Sequence, residues 1–79
     1  MVELNFFNSE GRNIHAFTTL DEISLFFNDR NIDATSPQSF LMYFITNYGR
    51  YRLDGIEYYL SKMNIDNVDG SITISYEPA

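Results

Sequence analysis

With no cysteine and His15 as its only histidine, this chain has neither a disulfide nor a thiolate metal site to staple it. At 79 residues it buries only about 60–65% of the surface its unfolded form would expose. Small scaffolds usually add such staples, so an apolar core must do the work alone. That core is aromatic: seven Phe and six Tyr supply large buried area per side chain. One domain spanning 1–79 is expected.

The first strand reads from Val2 to Phe7, where Val2, Leu4 and Phe6 alternate with Glu3 and Asn5. Asn8-Ser9-Glu10-Gly11 is turn chemistry of hairpin length. Asn13 to Phe17 is the return strand, with Ile14 and Ala16 on one face and His15 and Phe17 on the other. Thr19 with Glu22 three residues on forms a capping-box pattern. Leu20, Ile23 and Phe27 then follow at helical spacing, and Asn31 is the expected stop. Ser36-Pro37 starts a second helix, with Phe40, Leu41, Phe44, Ile45 and Tyr48 as its apolar stripe and Gly49 as its end.

Arg50 to Leu53 reads as a connector. Asp54 with Glu57 resembles a third N-cap, and Ile56, Tyr59, Leu60 and Met63 fit the buried face of a third helix. Asn64 to Gly70 is a loop, although Asp69-Gly70 also fits the closure of a hairpin with Ile65 to Val68 as an extra strand. Ser71 to Glu77 alternates as a final strand, with Ile72, Ile74 and Tyr76 inward. The expected fold is α+β, an antiparallel sheet of about three strands with three helices on one face, in the order β-β-α-α-α-β. Phe40, Phe44, Leu60, Ile72 and Ile74 should be buried together.

The net charge of −6 weighs against nucleic acid as a direct partner and against an anionic membrane surface, both of which need clustered Lys and Arg. Met1-Val2-Glu3-Leu4-Asn5 has no basic stretch before an apolar run, and a cytoplasmic location is expected. No catalytic residue emerges. A nucleophile needs a positioned base, and His15 reads as a half-buried or surface strand residue. Asp21, Glu22, Asp54 and Glu57 read as first-turn acids that complement helix dipoles. No metal or cofactor is expected: aligning Gly70 as the glycine of a calcium loop puts Asp69 and Asn67 correctly, but Ile65 and Tyr76 where carboxylates belong. Arg50-Tyr51-Arg52 fits either a phosphate-and-stacking site or a connector that offsets Asp54 and Glu57.

Some apolar residues fall outside the expected buried faces. On helical wheels Met42, Tyr58 and Leu25 point away from the core, and Tyr43 and Tyr51 add to them. Tyr and Met are enriched at contact surfaces. The chain therefore reads as a small acidic protein-binding module rather than an enzyme. In size, acidity and lack of a catalytic signature it resembles small inhibitors encoded by bacteriophages, including anti-CRISPR and other anti-defence proteins. No motif carries that likeness. It implies occupation of a basic, nucleic-acid-binding surface of a host protein such as a CRISPR or other defence effector, with carboxylates in place of phosphates. The expected partner-binding residues are Asp29, Asp33, Asp66 and Asp69, with Met42, Tyr43 and Tyr58. Two other readings stand beside this one. One is a homo-oligomeric structural or accessory protein, such as a homodimer, with an aromatic self-interface. The other is an antitoxin or immunity protein.

Overall fold

The computed structural model describes Met1–Ala79. Five strands form one sheet: β1 (Val2–Phe7), β2 (Asn13–Phe17), β3 (Arg50–Leu53), β4 (Ile56–Ile65) and β5 (Ile72–Pro78). Two helices, α1 (Leu20–Phe27) and α2 (Pro37–Tyr48), lie between β2 and β3 in sequence. The spatial order is β2-β1-β5-β4-β3. β1 runs parallel to β5, and the other neighbours are antiparallel. The expected three-strand antiparallel sheet with three helices is therefore wrong: there are five strands, two helices and one parallel pair.

The third helix is replaced by the β3–β4 hairpin. Asp54 and Gly55 both have positive φ, 52° and 79°, as a two-residue turn of the primed type requires. Asp-Gly there is a turn, not a helix cap. The helical spacing of Ile56, Tyr59, Leu60 and Met63 was a false period. Ile56, Tyr58 and Leu60 alternate as a strand should, and a bulge between Leu60 and Lys62 then shifts the phase by one residue. Beyond it, Met63 and Ile65 return to the inner face opposite Ile74 and Ile72.

Pairing aligns the core in rows across the sheet. His15, Phe6, Tyr76 and Leu60 make one row, and Phe17, Leu4, Ile74 and Met63 the next. Leu4, Phe6, Ile74 and Tyr76 are wholly buried, as are Ile23 on α1 and Phe40 and Phe44 on α2. Leu60 is only partly buried against this cluster. Thr19 and Glu22 complete a capping box at the start of α1. That helix stops at Asn28, whose φ of 52° is left-handed, and not at Asn31. Ser36 caps α2 and Pro37 occupies its first position. The Asn8–Gly11 turn closes as expected, with the Gly11 amide donating to the Asn8 carbonyl at 3.0 Å.

Two measurements check this architecture. Phe44→Ala should cost about 3–5 kcal/mol in a urea titration, because a large ring leaves a cavity in a core with no slack. Gly55→Ala should destabilise by about 1–2 kcal/mol, since alanine, unlike glycine, takes the left-handed conformation only with strain. The sign is diagnostic, because alanine would stabilise a helix at that position by about 1 kcal/mol.

Candidate interaction surface

Asp29 is where the sequence-predicted acids depart most from a free surface charge. The left-handed turn at Asn28 folds the chain back, and the Asp29 amide donates to the Ser24 carbonyl at 3.0 Å. Its side chain then meets α2. The hydroxyls of Tyr43 and Tyr48 both donate to Asp29 Oδ2, at 2.5 and 2.6 Å. The Asn31 amide donates to Oδ1 at 2.9 Å. These bonds stabilise the ionised form. The Tyr43 hydroxyl, then that of Tyr48, hold the Asp29 carboxyl below its ordinary value. Burial and then the carboxylate push the Tyr48 hydroxyl well above the usual tyrosine range, and the carboxylate raises Tyr43. Asp29 and Tyr43 thus form one internal clamp between the end of α1 and α2. Tyr48 is its third member, which the sequence assigned only to the apolar stripe.

The other three acids are exposed, and each is anchored in its own turn. Asp33 Oδ1 accepts from the Thr35 amide at 2.9 Å. Asp66 Oδ1 accepts from the Val68 amide and Asp69 Oδ1 from the Ser71 amide, both at 2.8 Å. The Ser71 amide, chiefly, keeps the Asp69 carboxyl below its ordinary value. Asp66 and Asp69 share the β4–β5 turn, which begins just past Ile65. Val68 between them is 97% exposed, a feature missed because Ile65 to Val68 read as a loop or an extra strand. The two acids and the Asp29 clamp lie apart: Tyr48 adjoins Gly49, whose carbonyl accepts from Leu60, five residues along β4 from Ile65 and so roughly 15 Å away.

Tyr58 must be removed from the surface set. It lies on β4, not on a helix, and is 2% exposed, edge-on to Phe6 at 5.3 Å. Met42 is exposed on the outer side of α2, as the helical wheel predicts. Leu25 is 82% exposed. Tyr51 faces inward beside Phe27, so it does not interleave with Arg50 and Arg52. Those arginines make local contacts, Arg52 to the Gly55 carbonyl at 2.9 Å and Arg50 to Glu57 at 3.9 Å. His15 is half-buried in the aromatic row, near Phe6, Phe17 and Phe26.

No group of three or more His, Cys, Asp or Glu side chains is placed to hold a metal ion. No helix is long and apolar enough to cross a membrane. Comparison with protein-family models, curated proteins and solved structures gives no match.

The clamp makes stability depend on pH. A carboxyl whose folded value is depressed stabilises the fold above its unfolded value and loses that contribution as pH falls through the folded one. For Asp29 the loss therefore begins near the ordinary 3.8 and continues below it. The raised Tyr43 and Tyr48 act at the other limb: their contribution is complete below the ordinary 10.0 and is lost as pH rises past it. Melting temperatures measured against pH should show a shallower acid limb in Asp29→Asn and a shallower alkaline limb in Tyr43→Phe. Unchanged limbs in both variants would contradict the clamp.

Proposed function

We propose that this chain binds another protein through its exposed acidic turns, as an inhibitor that occupies a basic, nucleic-acid-binding surface of a host protein such as a CRISPR or other defence effector. The observation that carries the reading is the state of Asp33, Asp66 and Asp69. All three are exposed, yet each has an oxygen fixed by a backbone amide of its own turn. Carboxylates held in this way lose little freedom when they meet a cation, so less of the interaction is spent on ordering. The fully exposed Val68 gives the pair in the β4–β5 turn an apolar contact between two charges. The chain's charge of −6 supplies the long-range attraction. Asp29 and Tyr43 act indirectly, by fixing the turn after α1 from which Asp33 follows. Met42 adds an exposed apolar contact on α2.

The test uses the triple change Asp33→Asn, Asp66→Asn, Asp69→Asn. Asparagine keeps the acceptor oxygen of each turn but gives up the carboxylate that accepts the Thr35 hydroxyl at Asp33 and the favoured charge at Asp69, so the melting temperature of the variant is measured beside its binding. Asp29 is left intact, because neutralising it would disturb the clamp and confuse stability with binding. A partner captured on the immobilised wild-type chain should be basic. Single-stranded nucleic acid should release it, and so should salt, since the screening length is only about 8 Å at physiological ionic strength. The association rate should fall roughly tenfold or more in the triple variant. Binding that withstands high salt and the three substitutions together would sink the proposal.

A further inference from the structure

The two edges of the sheet are built differently. β3 is four residues long and carries Arg50 and Arg52; short, charged edges resist pairing with another chain. β2 is the opposite edge; its five residues contain no lysine and no proline, and its pairing with β1 is regular from His15 to Phe17 but skips Ile14. Its inner side pairs with β1. Outside that pairing, no backbone group of these five residues has a hydrogen-bond partner within the chain. Such a row of free donors and acceptors is a template for another strand.

Apolar groups border this edge. Ile14, 41% exposed, sits at the break in register between His15 and Asn13. On the helix side, Phe17, Glu22, Leu25 and Phe26 line a shallow hollow of about 300 Å³. Leu25, 82% exposed, stands at its rim with nothing packed over it.

The charges around the edge select its occupant. Arg12 immediately precedes β2, while Asp21 and Glu22 open α1 just beyond its end. An antiparallel approach of a second β2 about a two-fold axis at His15 sets Arg12 opposite the partner's Thr18, beside the partner's acids. A parallel approach would set like charges together. Glu10, in the β1–β2 turn, is the one opposing charge at the Arg12 end. The edge is therefore self-complementary in backbone, apolar contact and charge, as a two-fold interface must be. We propose that β2 pairs antiparallel with β2 of a second copy, making one continuous sheet and burying Leu25 of each α1 against the other copy.

Sedimentation equilibrium of the full chain over a wide concentration range tests this. The mass should approach twice the 9.2 kDa of the single chain. Leu25→Glu and Ile14→Lys change exposed side chains, so circular dichroism should match that of the wild type. Each should weaken the dimer roughly tenfold or more. Met42→Glu, on the outer side of α2, should leave it unchanged. In amide exchange, the Asn13–Phe17 amides facing outward should become protected as concentration rises. A monomer at every concentration would overturn the proposal. So would a dimer that tolerates both Leu25→Glu and Ile14→Lys, or one that only Met42→Glu breaks.

Discussion

Phe6 lies flat against Tyr76, ring centres 4.6 Å apart and planes 8° from parallel. The two residues face each other across the parallel pair of the first and last strands. Everything between them in sequence has to fold around that contact. Phe6 also meets His15, Phe26, Tyr51 and Tyr58, so one side chain touches rings from β2, α1, β3, β4 and β5. The Tyr76 hydroxyl donates to the Tyr48 carbonyl at 2.7 Å, which ties the centre of the sheet to the end of α2. Burial pushes that hydroxyl well above the usual tyrosine range. A chain without disulfide or metal thus gains its cohesion from a ring network in which each aromatic serves several elements. The cost is that closure waits on two strands far apart in sequence, a pairing with a high loop entropy.

The elements legible in the sequence were those whose signals are local. Alternation marked β1, β2 and β5, and the Thr19–Glu22 box and Ser36-Pro37 marked both helix starts. Four of the five residues expected in the core, Phe40, Phe44, Ile72 and Ile74, are buried. The failures came where a long-range or offset feature overrode the local one. The bulge after Leu60 breaks the two-residue period and imitates a helical one, and the cap pattern of Asp54 with Glu57 overlies the hairpin signal of Asp54-Gly55. Taking the cap displaces Tyr58 from the core to the surface. The parallel register of β1 with β5 had no local signature, since nothing in either strand specifies its neighbour.

The candidate site was legible in part for the same reason. Exposure of Met42 followed from the helix it occupies. The capture of Asp29 by Tyr43 and Tyr48 did not follow, because it depends on where the chain leaves α1. The sequence offered Asn31 as the stop, and the structure uses Asn28. Stopping three residues earlier turns Asp29 toward α2 and gives both its oxygens partners. An acid that looked like surplus surface charge becomes a joint between the helices.

The remaining acids pose a sharper question of residue choice. A turn of this kind needs a side-chain oxygen that accepts a backbone amide. It does not need a charge. Asn8 performs that task in the β1–β2 turn, accepting from the amides of Glu10 and Arg12 at 3.0 and 2.9 Å. Asp33, Asp66 and Asp69 do the same work in their turns with a full negative charge. Asp29 is different, since its two oxygens accept from three donors and an amide nitrogen could not replace either oxygen. Local geometry accounts for an Asx residue at positions 33, 66 and 69, and it favours aspartate at two of them: the second oxygen of Asp33 accepts from the Thr35 hydroxyl at 3.1 Å, and bonds from Ser71 favour the ionised form of Asp69. These three acids are part of the net charge of −6, and each adds to the self-repulsion of a small domain. The charge of Asp66 is left over once these local bonds have been counted, and all three carboxylates lie exposed where a partner can reach them.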